Sequence, residues 1–346
     1  IDGTNLFQPR VGFNYTFDSE RPMQMRGGVG LFTGQSPTVW LANPYSNNGV
    51  AYTDYFVSTG AGVTFVPDPD DQLSAFAPGN GSTQSIDFIS PELGTPSAWK
   101  ANLAFDYETP WNGIVVTAEA IRTEVQEAIF YQQLNLGATS YTGQDGRTMY
   151  YNSQGLNPDC WTATGSNIAN AGGLLTGCSS YSASTNSYSS RVRNRTNKSS
   201  AYNDAIIAQS TSKGSSNSLT LALSQPFNNS DWSWNVGYTY TDAEEVSPLT
   251  SSTSGSQLGN VAVFQANEEV LARSSYAIQD RFTAAVNWKH NFWGDNQTMI
   301  TVFYEGRSGK PYSYTFDNDA NGDGRFNDLL YIPAGPGDVR FGSAAE

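Results

Sequence analysis

Only one histidine, His290, two cysteines and four methionines occur in 346 residues. That one histidine sits at a strand end beside a turn, which argues against a Ser-His-Asp triad or a tetrahedral zinc site. Charged residues are 14% of the chain and the formal net charge is −14. Scarce Lys and Arg exclude a phosphate-neutralising nucleic-acid surface, and the short run Arg191-Val-Arg193-Asn-Arg195 reads as a solvated loop face. No apolar run reaches the roughly 18 residues of a membrane-spanning helix. That absence leaves β-barrels open, because their alternating strands keep the mean hydropathy polar. The acidic neighbours Glu244-Glu245 and Asp317/Asp319 lie in loops, where solvation explains them, so the expectation is a chain that is not an enzyme.

What the chain does hold is 19 Tyr, 18 Phe and 8 Trp among abundant Gly, Ser, Asn and Thr. Aromatic and β-branched residues suit pleated surfaces, and Gly, Asn and Ser suit turns. Four pairs of alternating strands follow from the order of residues. Val11, Phe13, Tyr15 and Phe17 oppose Arg10, Gly12, Asn14 and Thr16, and a return strand runs from Gln24 to Thr33. Ala101, Leu103, Phe105 and Tyr107 oppose Lys100, Asn102, Ala104 and Asp106, with a return from Ile114 to about Tyr131. Leu219, Leu221 and Leu223 precede a return strand carrying Trp232, Trp234, Val236, Tyr238 and Tyr240. Phe282, Ala284, Val286 and Trp288 precede a turn over Asn291–Asn296 and a strand with Ile300, Val302 and Tyr304. Strict period-two alternation of this length is a strand signal.

Turns within the pairs are short, whereas the connections between pairs run from about Gly34 to Pro96, Leu134 to Ser200 and Asp242 to Ile278. Loops this long count against a compact sandwich. Short turns at one end and long loops at the other are the asymmetry of outer-membrane barrels. Aromatics at the short-turn ends (Phe17, Tyr107, Trp111, Phe227, Trp232, Trp288, Phe292, Trp293) fit an interfacial girdle. The expected fold is therefore all-β, a transmembrane antiparallel β-barrel, with the aromatic rows against lipid and the Ser/Thr/Asn/Gly rows inside. On that reading Arg10, Arg26, Lys100, Asp106, Arg281, Lys289 and Glu305 face the lumen. There they either line a transport path or bond plug residues and one another.

Near the end, an aromatic strand over Pro311–Phe316 is expected to lead into Asp317-Asn-Asp319-Ala-Asn321-Gly-Asp323-Gly-Arg-Phe-Asn-Asp328. Oxygen-bearing side chains at loop positions 1, 3, 5, 7 and 12, with Gly322 at position 6, match a calcium loop. Ligands would be Asp317, Asp319, Asn321, Asp323 and Asp328. The rival account is an Asx/Gly-rich turn whose side chains bond their own backbone. Cys160 and Cys178, 18 apart, either stay as thiols or, in an oxidising compartment, close a disulfide loop worth about 3 kcal/mol.

Several of these segments are similar to Oar-like TonB-dependent outer-membrane receptors. They are Phe7-Gln-Pro-Arg-Val-Gly-Phe13, Met25-Arg-Gly-Gly-Val-Gly-Leu-Phe32, Ser212-Lys-Gly214, Ala222–Phe227 and Gly237-Tyr-Thr-Tyr-Thr-Asp-Ala243. The most specific are Phe303-Tyr-Glu-Gly-Arg-Ser-Gly-Lys-Pro-Tyr-Ser-Tyr314, Asn321-Gly-Asp-Gly324 and Asn327-Asp-Leu-Leu-Tyr-Ile-Pro333. The resemblance implies that residues 1–346 are a central-to-late part of a roughly 22-stranded barrel plugged by an N-terminal domain. The plug and the energy-coupling modules would precede this segment, and short turns would face the periplasm. It also implies a Gram-negative outer-membrane location and active transport energised by TonB. Partners would be outer-membrane lipid, the TonB complex and an extracellular substrate, with peptide or protein favoured. Two other classes stay open: a secreted or surface calcium-stabilised β-protein acting as adhesin or structural layer, and a passive porin.

Overall fold

The structure, a computed structural model, describes residues 6–34, 38–49, 66–71, 84–143, 145–151, 196–199, 201–228, 230–316 and 319–338. Its elements in chain order begin β1 (Arg10–Thr16), β2 (Met23–Thr33), α1 (Thr38–Ser46), β3 (Ile86–Ile89), β4 (Ser97–Glu108) and β5 (Val115–Gln133). There follow β6 (Tyr141–Thr142), β7 (Thr148–Met149), β8 (Ala205–Thr211), β9 (Gly214–Gln225) and β10 (Trp232–Glu245). Last come α2 (Ser254–Gly259), β11 (Ala272–Arg273), β12 (Asp280–Trp293), β13 (Asn296–Arg307) and a 3-10 turn at Pro336–Asp338.

Eight strands lie side by side in the order β1-β2-β4-β5-β9-β10-β12-β13, each antiparallel to the next. The four expected hairpins are all present, and the protein is mainly an antiparallel all-β structure. The last turn is tighter than expected. Asn291–Trp293 belong to β12, and only Gly294 and Asp295 connect it to β13, with Gly294 in the left-handed region at φ +58°. A glycine takes that conformation without the steric cost borne by other residues.

Register decides which side chains share a face, because directly opposed residues in an antiparallel pair point the same way. Phe13, Gly27, Leu103, Ala120, Leu219 and Tyr240 form one cross-strand row, and Tyr15, Met25, Phe105, Ala118, Leu221, Tyr238 and Phe282 form the next. A Cβ at Gly27 would sit 2.8 Å from the Asn102 carbonyl and 2.9 Å from the Phe13 ring, so glycine lets that ring lie flat on the sheet. This apolar face is open: Leu221 is 53% exposed and Val302 64%. Its upper limit is polar, where Arg122 donates to Asn217 Oδ1 at 2.8 Å and to Glu124 Oε1, also at 2.8 Å.

The opposite face is hydroxyl- and amide-rich and bonded across strands. Thr220 meets Thr239 at 2.9 Å, Ser218 meets Thr241 at 3.2 Å, and Asn287 links Ser233 to Thr301 at 3.0 and 2.8 Å. Ile121, Met299 and Phe303 are apolar exceptions on it.

Between the hairpins the chain builds a cap at the end away from the short turns. Here expectation and structure part. The connections read from sequence as plain loops contain α1, α2 and the short strands β3, β6, β7 and β11, and β8, just past the second connection, pairs antiparallel with the end of β5 and in parallel with β3. The cap also holds the apolar core: Leu93, Ile129, Tyr131, Ile206 and Ala208, with Trp40, Leu41, Ile89, Leu249 and Leu258 against them. Trp40 Nε1 and Asn43 Nδ2 fix α1 by donating to the Ser251 and Ser252 carbonyls, each at 2.9 Å. Pro311–Phe316 is not a strand. Among the described residues its only ladder contact is an isolated bridge from Thr315 to Leu329.

Candidate functional site

The Asp-rich loop lies in the cap, folded into a tight knot. Asp319 accepts the Gly322 N–H on one oxygen at 2.5 Å and the Gly324 N–H on the other at 2.7 Å. Asn321 Oδ1 accepts the Asp323 N–H and Asp323 Oδ1 accepts the Arg325 N–H, both at 2.8 Å. Asp328 reaches back to accept the Ala320 N–H at 2.8 Å. The chain turns at Gly322 with φ +83°, and a Cβ there would lie 2.9 Å from the Tyr151 nitrogen. Only glycine satisfies both the dihedral and the close approach.

These bonds gather charge. One carboxylate oxygen from each of Asp319, Asp323 and Asp328 lies within 4.8 Å of the others, and all three residues are buried. Burial pushes the Asp319 carboxyl up to about 8 and that of Asp323 to about 6, with the neighbouring carboxylates adding to both shifts. Burial raises Asp328 too, against the opposing pull of the Ala320 N–H and Arg147. Of the expected ligands, the structure thus brings three carboxylates together. Asn321 is fully buried beside them, and its side-chain oxygen accepts the Asp323 N–H just as the carboxylates accept bonds of their own. Asp317 falls outside the described residues, as do Cys160, Cys178 and the Arg191–Arg195 run.

The partners of the knot come from two other connections. Arg147, which follows the Asp145-Gly146 turn of the β6–β7 hairpin, is 2% exposed and donates to Asp328 Oδ1 at 2.8 Å and to the Leu329 carbonyl at 2.5 Å. Its guanidinium lies 4.9 Å from the centre of the Phe264 ring and 5.5 Å from that of Phe316. Tyr150 N–H donates to the Asn321 carbonyl at 2.7 Å, and the Tyr151 hydroxyl donates to the Asp319 carbonyl. Asn327 Nδ2 donates to the Leu258 and Val261 carbonyls at 3.2 and 2.6 Å.

A second charged group stands beside the first. Lys198 Nζ donates to Asp204 Oδ1 at 2.8 Å, and Arg325 Nη2 lies 3.2 Å from Asp204 Oδ2. Burial alone would raise the Asp204 carboxyl, but Arg325 and Lys198 outweigh it and hold it below the usual carboxylate range. None of Arg147, Lys198, Asp204 or Arg325 stands out in the sequence as a site residue. The Asp145-Gly146 pair signals a hairpin, yet nothing local indicates that Arg147 meets a carboxylate on the Asp loop.

The seven charged residues expected to share one face do so by register, as Arg10↔Gly30↔Lys100, Arg26↔Ala104 and Thr283↔Glu305 show. Arg26 pairs with Asp106, which also accepts from Thr117 Oγ1 at 2.7 Å. Arg281 pairs with Glu305 at 3.0 Å. Arg10 and Lys289 lie over the Phe32 and Phe227 rings at 4.3 and 4.4 Å. Four of the seven thus form two ion pairs, whereas Arg10, Lys100 and Lys289 rest near aromatic rings, with Lys100 Nζ 6.0 Å from the same Phe32 ring that Arg10 covers. Comparison of the chain with protein-family models, with curated proteins and with solved structures finds no match.

Proposed function

We propose that this chain forms part of the wall and outer cap of a TonB-dependent transport receptor in the outer membrane of a Gram-negative bacterium. One observation carries the reading. A sheet a single layer thick presents an apolar face that nothing among the described residues covers, while its other face is a bonded network of Ser, Thr and Asn. In water, exposing such a face is unfavourable by about 25 cal/mol per Å2. In a bilayer the same face is already in its preferred solvent. From Trp232 to Tyr240 the apolar row of β10 runs along the strand for about the 9–11 residues that a tilted strand uses to cross a bilayer, and it is bounded by aromatics at both ends.

The free edges of β1 and β13 support the same reading. Each has a partner on one side only among the described residues, and unpaired backbone groups within lipid cost several kcal/mol each. Further strands closing a barrel of about 22 would remove both edges. In this arrangement Arg26, Asp106, Arg281 and Glu305 border the lumen, short turns face the periplasm, and the cap faces outward to meet a substrate.

Within the cap, Asp319, Asp323 and Asp328 would hold a calcium ion. Hard oxygen donors suit that cation, and three buried carboxylates with one directly bonded guanidinium leave negative charge for it to neutralise. The ion would stiffen the knot that ties the cap connections together. The same cluster favours the rival reading, a secreted calcium-held β-protein, and extraction separates the two. Membranes washed with carbonate and chelator should retain the protein until detergent releases it. Release by salt or chelator alone would overturn the barrel reading.

A further inference from the structure

Beside the knot, a groove of about 410 Å3 opens between the end of β10, the 248–262 connection, β11 and residues 311–315. Its walls include Tyr312 and Phe326, which are 78% and 64% exposed. Arg273, also exposed, projects from β11 and makes no hydrogen bond or ion pair among the described residues, although Glu244 opposes it across the ladder. Glu245, the carboxylate lining the groove, is turned to accept the Ser275 N–H at 3.0 Å. One unpaired guanidinium in a strongly acidic protein makes this a local site for an anion.

Backbone geometry specifies the shape of the ligand. Thr315 bridges Leu329 through flanking bonds, Phe316 N–H to the Asp328 carbonyl and Leu330 N–H to the Tyr314 carbonyl, each at 2.9 Å. In an antiparallel bridge flanked this way, the N–H and C=O of the bridging residue point away from its partner. Thr315 therefore presents its N–H and C=O on an edge unpaired among the described residues, and both it and Ser313 line the groove. Exposed edges of this kind accept an added strand, with main-chain bonds supplying affinity and side-chain pockets supplying selectivity.

We propose that the groove receives an extended peptide, which adds as a strand on the Ser313–Thr315 edge, packs apolar side chains on Tyr312 and Phe326, and places a carboxylate on Arg273. A charge-assisted hydrogen bond to that guanidinium contributes roughly a tenfold preference for acid over amide. The inference rests on the outward placement of the cap. Loss of peptide binding with detergent-dependent extraction intact would sink the groove alone.

The test uses the complete protein in detergent and a mixed hexapeptide library in three forms: free C-terminal carboxylate, C-terminal amide, and carboxylate with alternate backbone amides methylated. Equilibrium dialysis with mass spectrometry reads the retained fraction. Retention should be about tenfold greater for the acid than for the amide and should vanish on methylation. Arg273→Gln, a change at an exposed side chain, should erase the acid–amide difference while leaving the β-sheet circular dichroism unchanged. Equal retention of acid and amide, indifference to methylation, or an unchanged preference in Arg273→Gln would each overturn the proposal. Binding of tri-galacturonate with no peptide retained would reassign the groove to acidic sugars.

Discussion

Arg147 donates to Asp328 at 2.8 Å across 181 positions of sequence, and the two side chains are 2% and 0% exposed. A pair this deeply buried is weak proof of net stability, but breaking it by removing one partner strands a charge at a cost of about 3–5 kcal/mol. Arg147→Met, which keeps most of the volume, should therefore loosen the cap by that amount. Amide exchange at Ala320, Gly322 and Gly324 reports the loss. Adding Asp328→Asn should recover part of it, because the stranded carboxylate is gone. Unchanged exchange in the single variant would show that the bond is not what holds the knot.

Asp323→Asn separates the cation from the knot. The substitution keeps an oxygen for the Arg325 N–H, which Asp323 accepts at 2.8 Å, and removes one of three crowded carboxylates. Without calcium the variant should be no less stable than the parent, because burial already disfavours the charged form of Asp323. With millimolar calcium the parent should gain protection at Gly322 and Gly324 and the variant should gain far less. A parent indifferent to both calcium and chelator would mean that the loop is an Asx turn alone.

Acid should act through Asp204. Its folded carboxyl lies below the ordinary value of 3.8 because Arg325 and Lys198 overcome the effect of burial. The linkage sign follows: the Asp204 contribution is complete above the unfolded pKa and is lost as pH falls below about 3.8. Lowering the pH from 5 to 3 should thus release the Lys198 and Arg325 segments to protease, and Asp204→Asn should be flat over that interval. An Asp204→Asn variant with the parental acid profile would place the transition elsewhere.

Two adjacent substitutions test the lipid-facing assignment. Leu221 belongs to the apolar face, and Thr220, bonded to Thr239, belongs to the polar one. Leu221→Arg should destabilise folding into bilayers by about 2–4 kcal/mol if that face meets acyl chains near the midplane. Thr220→Arg should cost much less. Equal penalties, measured by denaturant titration in lipid vesicles, would count against a membrane wall.

The hairpins could be read from residues such as Leu219, Leu221 and Leu223 because each pair needs only local alternation and a short turn. The cap could not. Ala205-Ile-Ile-Ala208 is an apolar run without alternation, since it sits within the core, and its parallel partner Ile86–Ile89 lies far away in the chain. Tyr312, Tyr314 and Phe316 alternate like strand residues, yet among the described residues their ladder pairing is a single bridge at Thr315. The Asp spacing revealed three carboxylates that do converge. The counter-charge on Arg147 depends on tertiary folding, and no pattern within residues 134–151 announces it.

If the wall sits in a bilayer as proposed, the oily kernel around Ile129 and Ile206 would leave the crown answering to water while the strands below answer to lipid. Urea or warmth would then loosen the kernel before those strands. Crown positions off β5 could in that case be redrawn with the wall left standing, whereas Ile129 and Tyr131, on the end of β5, belong to both.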